Sequence, residues 1–197
     1  MPIKTKTIRS FIALPLEDKV KKQIREIEND FKELNCDIKW VKPEKTHITL
    51  KFLGDIGESQ IELISQCIRN IFRNAPAIGA ELSSIGTFPE RHSPRVIWVG
   101  VKDSDKIIER SADALGNALA TLGFKKENRP FQSHITLGRI RSPQNISVLN
   151  QKIKEFSLPG SHPFIINEVV LYKSILNSSG SVYEGLYREM LDGNCVK

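Results

Sequence analysis

Apolar positions along the chain follow two spacings, one typical of helices and the other typical of strands. Steps of three and four predict three amphipathic helices, over 16–34, 61–72 and 107–122, and a shorter one near 148–156. β-rich runs predict strands at 7–14, 46–53, 95–101, around 134, at 165–171 and at 183–190, with Gly54 ending the second. The interleaved order lacks the glycine-rich fingerprint of a dinucleotide fold, so we predict an α+β fold of mostly antiparallel sheets covered by helices.

Composition places the chain among ordinary globular proteins. It has 197 residues, of which 40% are hydrophobic and 26% charged; this is enough for a real core and excludes disordered and fibrous classes. No apolar stretch approaches the roughly 20 residues of a membrane helix, and the run after the basic N-terminus breaks at Pro15, which argues against a signal peptide. Cys36, Cys67 and Cys195 follow no pairing pattern, so we expect a reduced, cytoplasmic protein.

The charge balance is basic. The chain has 29 Lys and Arg against 23 Asp and Glu, a net charge of +6, which favours a polyanionic partner through long-range attraction. A well-solvated surface is the alternative explanation of the same surplus. Segment 125–141 holds five Lys or Arg and one acidic residue, Glu127.

One tetrapeptide occurs twice in the chain. His47-Ile48-Thr49-Leu50 and His134-Ile135-Thr136-Leu137 are identical and lie 87 positions apart. At average residue usage, chance would match three neighbours of a histidine pair in roughly one chain in a thousand, so we infer an internal duplication. A period of this length is too long for a solenoid and predicts a bilobal molecule with pseudo-two-fold related lobes.

Strand geometry gives the repeat a chemical meaning. Because side chains alternate across a strand, the His and Thr of each copy face one side while the Ile and Leu enter the core. Two such faces would confront each other across a central groove. His47 and His134, with an ordinary pKa near 6.5, suit a reaction that needs a base on one side and an acid on the other. Thr49 and Thr136 would donate hydrogen bonds to anionic oxygens between them, which favours phosphoryl chemistry.

Arg139 follows the second motif histidine by five residues. Strict alternation would direct its guanidinium into the core, which is costly without a partner. A bulge or strand end at Gly138 would instead turn Arg139 toward the His134 face, where it could bind a phosphate with two hydrogen bonds. Leaving the strand into solvent is the alternative.

Structural interpretations compete with the chemical one. A single His-x-Thr on a strand is usually structural, with the histidine hydrogen-bonded at a sheet edge. The duplication of the motif argues against this interpretation here. Neither H-x-H nor H-E-x-x-H occurs, and the carboxylates Glu44 and Asp55 follow no ligand spacing, so we expect no metal site. His92 and His162 lie in Pro-containing loop segments, and we interpret both as surface residues.

Together these residues resemble the two-histidine phosphoesterases, and within them the bacterial and archaeal RNA 2′,3′-cyclic phosphodiesterases, also called 2′-5′ RNA ligase-like proteins. The family signature is two copies of His-x-Thr/Ser-x. The resemblance covers nearly the whole chain and extends to segments Arg9–Ala13, Gly86–Pro89, Arg95–Gly100, Pro130–Phe131 and Val170–Ser174. One departure is the Gln132-Ser133 pair before His134, where a proline is common.

The resemblance implies one bilobal domain over 1–197 that hydrolyses RNA 2′,3′-cyclic phosphate ends to 2′-phosphomonoesters without a metal or other cofactor. His134 would be the proton acceptor that activates water, and His47 the proton donor to the departing 3′ oxygen. Thr49, Thr136 and Arg139 would bind the non-bridging oxygens. The expected partner is RNA with a 2′,3′-cyclic phosphate terminus, tRNA fragments included. The expected state is a cytoplasmic monomer with no membrane association.

Three other functions stay open at this point. The same groove could join 2′,3′-cyclic and 5′-hydroxyl RNA ends through a 2′-5′ bond by the reverse reaction. It could act on a small cyclic phosphate, such as a nucleotide or an ADP-ribose derivative. The chain could also be a non-catalytic RNA-binding module, although such a module is expected to lose a motif histidine. Because the two motifs are identical, the residues alone do not decide which histidine is the acid.

Overall fold

A computed structural model describes residues 7–90, 93–158, 160, 163–177 and 180–191. His92, His162, Cys195 and part of the turn at 176–181 lie outside the described residues. The elements, in chain order, are β1 (Thr7–Pro15), α1 (Asp18–Lys32), β2 (Ile38–Trp40), β3 (His47–Gly57), α2 (Glu58–Phe72), β4 (Ile78–Phe88), β5 (Val96–Lys102), α3 (Ile107–Ala120), β6 (His134–Ile140), α4 (Ile146–Glu155), β7 (Phe164–Ile166), β8 (Glu168–Asn177) and β9 (Gly180–Met190). All four predicted helices form.

The strands pair in the order β7-β4-β5-β6-β3-β1-β8-β9, and β2 pairs with β6 on the side. Each pairing between the described strands is antiparallel. The predicted α+β fold with antiparallel sheets is therefore confirmed. Short strand β2 and the long strand β4 were not predicted individually, although buried and more open positions alternate along most of β4.

The strand order is symmetric about its centre, where β3 lies beside β6. Moving outward, β1 matches β5, β8 matches β4, and β9 matches β7. We call the half with β3, β1, β8 and β9 lobe 1, and the half with β6, β5, β4 and β7 lobe 2. Strand β4 comes from the first half of the chain but lies in lobe 2, and β8 comes from the second half but lies in lobe 1. Lobe 1 thus contains β8 and the following β9 from the second half of the chain, and lobe 2 contains β4 from the first half.

The helices cover one face of the sheet. Helix α2 packs on β3, β8 and β9, and α3 packs on α2 and β3. The chain after α4 meets α1 through the rings of Phe156 and Phe31, whose centroids lie 5.1 Å apart. The apolar stripe of α1 is buried, as its spacing predicts: Val20, Ile24, Ile27 and Phe31. Among the described helices, none has the length and apolar character needed to cross a membrane.

Strand β3 does not end at Gly54, contrary to the prediction. It continues to Gly57, because β1 pairs with it along its whole length, from Pro15 opposite His47 to Thr7 opposite Gly57. Gly54 has φ of +73°, which a residue without a Cβ adopts readily. It lies next to a register shift in the β1–β3 pairing, so the glycine marks a bulge and not a strand end.

Replacing Ile48 by Ala should cost about 2–5 kcal/mol of unfolding free energy, because Ile48 is fully buried and the truncation leaves a cavity. Urea denaturation followed by circular dichroism measures this loss. Ile165→Ala is the matched control, since that side chain is 49% exposed and its loss should stay within about 0.5–1 kcal/mol. Equal, small losses in both variants would contradict the central role of Ile48 in the core.

Candidate active site

The two tetrapeptides meet at the centre of the sheet. Strand β3 pairs with β6 at one register position, with Ile48 opposite Ile135. Both side chains are fully buried, so they lie on the helix-covered face. Their neighbours along each strand therefore point to the opposite, uncovered face. The one register pair between β3 and β6 in the described strands joins the second residues of the two motifs.

This register arranges the four polar motif side chains as a quadrilateral. Because the strands are antiparallel and Ile48 is opposite Ile135, His47 lies toward Thr136, and Thr49 lies toward His134. The histidines occupy one diagonal and the threonines the other. In a regular antiparallel pair, diagonal residues lie about 7–8 Å apart, and their Cβ atoms are somewhat closer; this leaves room for a tetrahedral group between the two imidazoles. All four side chains are half-buried.

Each imidazole is oriented by a backbone carbonyl two residues before it. The Nδ1 atom of His47 is 2.9 Å from the carbonyl oxygen of Lys45, and that of His134 is 2.7 Å from the carbonyl oxygen of Gln132. A carbonyl only accepts, so Nδ1 carries the proton in both rings. In the neutral form the unprotonated nitrogen is then Nε2, and each histidine presents this atom as a base.

Aromatic rings enclose both histidines. The ring of Phe11 stacks on His47 with centroids 4.8 Å apart, and Tyr183 meets His47 edge-on at 5.3 Å. In lobe 2, Phe88 and Trp98 lie against His134, at 5.1 and 6.1 Å. The sequence favours core packing over base stacking for Phe11 and predicts no role for Tyr183, Phe88 or Trp98. Only the pairing of the strands shows that these rings lie on the face that carries the histidines.

This enclosure lowers the pKa of both histidines. Burial is the main cause for His47; its hydrogen bond to the Lys45 carbonyl partly offsets the effect, and positive charge on His134 lowers the pKa further. Burial also lowers the pKa of His134, again partly offset by its carbonyl. Removing water from around an imidazole disfavours its charged form. A positive charge on His134 thus disfavours a second positive charge on His47.

Arg139 lies on the same face as the histidines. In the β5–β6 pairing, Trp98 is opposite Thr136 and Ile97 is opposite Gly138, so Leu137 is the extra residue of a bulge. The bulge reverses the alternation, and Arg139 follows on the open face with an exposed side chain. The expected change of face therefore occurs, one residue earlier than Gly138. No described carboxylate forms an ion pair with this guanidinium.

A cavity of about 320 Å³ lies beside His134 in lobe 2. Its lining includes Trp98, Gly100 and Ser133. The Trp98 Nε1 and Ser133 Oγ atoms are buried without a hydrogen-bond partner among the described residues. A Cβ on Gly100 would lie 2.4 Å from Ser83 Oγ, so a larger residue there would displace the Ser83 side chain.

Metal ligands do not gather in this region. Within the described ranges, no three His, Cys, Asp or Glu side chains cluster in a way that could hold an ion. The described cysteines, Cys36 and Cys67, are free thiols. The polar groups at the centre are thus imidazole, hydroxyl and guanidinium, which are the groups that bind and protonate phosphate oxygens.

Comparison with known families assigns the two halves of the chain to one family. The LigT like Phosphoesterase family matches the chain twice in succession, over residues 14–98 and 99–183. Each match contains one His-x-Thr motif. The chain belongs to this family. Its two motifs are the paired motifs of a two-histidine phosphoesterase, and the predicted resemblance is confirmed.

Similar proteins cover nearly the whole length of this LigT-like chain. A protein of Methanothermobacter thermautotrophicus named RNA 2′,3′-cyclic phosphodiesterase is 30% identical over 178 residues, 89% of this chain and 95% of the relative. One of the same name from Methanocaldococcus jannaschii is 33% identical, over 90% and 97%. The crystal structure of E. coli LigT complexed with 3′-AMP has a TM-score of 0.74 at 25% identity, over 94% of this chain and 99% of that one.

Both imidazoles should titrate below their ordinary pKa of about 6.5, because burial lowers both values. Replacing His134 by Asn should raise the pKa of His47, since it removes the neighbouring positive charge. Two-dimensional ¹H–¹⁵N NMR of the imidazole nitrogens across pH measures both values. Lys22→Ala, on the exposed side of α1, is the control that should leave them unchanged. A His47 pKa that stays constant or falls in the His134 variant would contradict the coupling.

Proposed function

We propose that this chain hydrolyses 2′,3′-cyclic phosphate ends of RNA to 2′-phosphomonoesters. The observation that carries the proposal is the antiparallel register that sets two histidines and two threonines around one point. The names of the two archaeal relatives support the substrate class. So does the 3′-AMP in the similar E. coli LigT structure, because that molecule also carries a phosphate on the ribose.

In the proposed mechanism, the two histidines act from opposite sides of the phosphorus atom. His134 Nε2 accepts a proton from water, and the resulting hydroxide forms a new bond to phosphorus. The bond from phosphorus to the 3′ oxygen breaks in line, and His47 Nε2 donates a proton to that oxygen. The product keeps the phosphate on the 2′ oxygen. We assign donor and acceptor from the family resemblance, since both rings have the same tautomer and the same kind of carbonyl partner.

The remaining polar groups would bind the non-bridging oxygens. The Thr49 and Thr136 hydroxyls occupy the second diagonal of the quadrilateral, so each can donate a hydrogen bond to a phosphate between the histidines. Arg139 can add a charged donor from the bulge after β6. Negative charge grows on these oxygens in the transition state, and donors that are already oriented stabilise it without further reorganisation.

The lowered pKa values of the two histidines suit the proposed proton acceptor, His134, and limit the proposed proton donor, His47. Burial keeps His134 neutral near pH 7, as an acceptor must be. His47 must hold a proton to act as an acid, and a bound phosphate anion would raise its pKa and so supply that proton upon binding. Substrate binding and protonation of His47 are therefore linked in this mechanism.

Further parts of the proposal concern the protein as a whole. We propose that the chain works as one bilobal domain, because each lobe contains a strand from the other half of the chain and the lobes pair through Ile48 and Ile135. We propose a cytoplasmic location on the basis of the free thiols of Cys36 and Cys67. Three statements stay predictions: the protein is a monomer, tRNA fragments are substrates, and catalysis needs no metal.

Wild-type protein should convert a short RNA ending in 2′,3′-cyclic phosphate to the 2′-phosphate in the presence of EDTA. Chromatography against synthetic 2′- and 3′-phosphate standards identifies the product. A 3′-phosphate product, or loss of turnover in EDTA, would contradict the mechanism. Adding a 5′-hydroxyl RNA to the same reaction shows whether a 2′-5′ linkage forms instead.

His47→Ala and His134→Ala should each lower kcat by about 10²–10⁴, the usual contribution of a general acid or base. Circular dichroism verifies that the variants are folded, and added imidazole should restore part of the rate if the missing ring only transferred a proton. Lys22→Ala serves as the surface control. A folded variant of either histidine with near wild-type kcat would refute the assignment.

The pH dependence of kcat/KM should be bell-shaped with its maximum below about pH 6.5, because kcat/KM reports the free enzyme and both imidazole pKa values are lowered there. The maximum in kcat should lie at higher pH, since the bound anion favours protonated His47. Initial rates between pH 4.5 and 8.5 at roughly constant ionic strength test both statements. A flat profile, or identical maxima, would contradict linked protonation.

A further inference from the structure

The β8–β9 hairpin curves over the open face of lobe 1. Continued pairing with β1 would carry β8 past Lys173 toward Thr7, away from the end of β1 where Pro15 is opposite His47. The described pairing of β8 with β1 instead stops at Lys173, and the β8–β9 pairing has a register shift after Leu171. Such a bulge bends a strand. The rings that the hairpin carries consequently reach the motif histidine of lobe 1.

The outer part of this hairpin is weakly packed. We call the described residues 174–177 and 180–183 the distal hairpin; its two strands pair with each other. Three of its apolar side chains are at least 40% exposed: Ile175, Leu176 and Val182. A segment that buries few apolar contacts has low local stability. Specific contacts with neighbouring segments therefore determine where the distal hairpin lies.

Tyr183 is the residue of the distal hairpin that reaches the active site. Its ring meets His47 edge-on, with centroids 5.3 Å apart, and meets Phe11 edge-on at 5.0 Å. Tyr172, which lies nearer the sheet, adds a ring whose centroid is 6.4 Å from that of His47. These three rings enclose the imidazole on the lobe 1 side. Of the three, Tyr183 depends on the position of the distal hairpin for its contact.

Lys45 connects the distal hairpin to the strand that carries His47. Its ammonium donates a hydrogen bond of 2.6 Å to the carbonyl oxygen of Ser181, two residues before Tyr183. Its own carbonyl oxygen accepts the Nδ1 proton of His47 at 2.9 Å. One residue therefore contacts both the imidazole and the segment that covers the imidazole.

The turn that holds Lys45 is itself fixed in place. Lys45 is the last residue of a short 3₁₀ turn that begins at Pro43. The hydroxyl of the buried Thr46 donates to the Pro43 carbonyl oxygen at 2.6 Å. Arg25 of α1 donates to the Glu44 carboxylate, also at 2.6 Å. An ammonium on such a turn can restrain a weakly packed segment.

We infer that Lys45 is a positioning residue, whose side chain holds the distal hairpin so that Tyr183 stays against His47. It acts through Tyr183 and not by contact with the substrate. The tyrosine ring keeps water from one side of the imidazole, and a less hydrated imidazole gives up its proton more readily. The catalytic consequence rests on the proposed function, in which His47 is the proton donor; the restraint on the hairpin does not.

Charged and titratable groups approach His47 from several elements. Lys45 precedes β3, His134 lies on β6, and the phenols of Tyr172 and Tyr183 lie on β8 and β9. The positive charge of Lys45 also disfavours a proton on His47. A direct charge effect and an effect through Tyr183 therefore predict the same direction when the lysine is removed. A double-mutant cycle separates the two, because only the second effect needs the tyrosine.

The test measures the pKa of His47 by ¹H–¹⁵N NMR of its imidazole nitrogens in a cycle of Lys45→Met and Tyr183→Ala. Lys45→Met should raise this pKa toward its ordinary value of about 6.5, because the released hairpin admits water to the ring. Lys45→Arg should keep the wild-type value, since a guanidinium can still donate to the Ser181 carbonyl oxygen. In the Tyr183→Ala background, Lys45→Met should cause a smaller rise than in wild type. An equal or larger rise there, or no rise in wild type, would overturn the inference.

Lys42→Met is the matched control, because it removes the same charge from an exposed position at the start of the same turn. Lys42 contacts Lys45 through its backbone oxygen, so the turn is kept and the pKa of His47 should not change. The nuclear Overhauser effect between the ring protons of Tyr183 and His47 gives a readout independent of titration. It should weaken in Lys45→Met and persist in Lys45→Arg and Lys42→Met. Circular dichroism verifies that each variant is folded.

Turnover of an RNA ending in 2′,3′-cyclic phosphate distinguishes this inference from the proposed function. Lys45→Met should lower kcat by less than the roughly 10²–10⁴ expected for losing the ring, and it should move the kcat/KM profile to higher pH. If wild-type protein shows no turnover but the ring contact and the pKa of His47 change as expected, the inference stands and the proposed function fails. If wild-type protein hydrolyses the RNA and Lys45→Met changes neither the ring contact nor this pKa, the inference is refuted and the function stands.

Discussion

The active-site arrangement depends on one antiparallel contact between strands from the two halves of the chain. Ile48 and Ile135 are opposite each other, and both are fully buried. Side chains alternate along each strand, so burying these two residues forces the neighbouring histidines and threonines onto the open face. A one-residue slip in this register would bury the polar groups and expose the isoleucines, at a high cost in free energy. The apolar core therefore enforces the catalytic geometry.

Desolvation is the second physical factor that shapes the site. Phe11 and Tyr183 cover His47, and Phe88 and Trp98 cover His134. These rings remove water, lower the pKa of both imidazoles and strengthen every hydrogen bond made to a bound phosphate. Each Nδ1 proton is committed to a carbonyl, so Nε2 is the nitrogen left free to accept or donate a proton. Local backbone geometry thus decides which nitrogen is free, and the aromatic rings decide how readily it is charged.

Duplication followed by divergence explains how a symmetric scaffold can serve an asymmetric reaction. The two strands share the motif, the bulge at its leucine and the carbonyl partner of the imidazole. They differ at the fifth position after the histidine, where one carries Phe52 and the other Arg139. The backbone symmetry therefore supplies two equivalent positions, and the two lobes carry different side chains there.

Local patterns in the sequence determined the helices, most strands, the duplicated motif and the alternation that separates His and Thr from Ile and Leu. These features depend on residues close together in the chain, whose spacing is visible directly. The tertiary structure alone decided that Ile48 meets Ile135, that β4 lies in lobe 2 and β8 in lobe 1, and that Tyr183 and Trp98 enclose the histidines. It also showed that β3 passes Gly54 and that the bulge is at Leu137. These features depend on pairing between segments far apart in the chain, and the free energy of that pairing comes from packing that no single segment encodes.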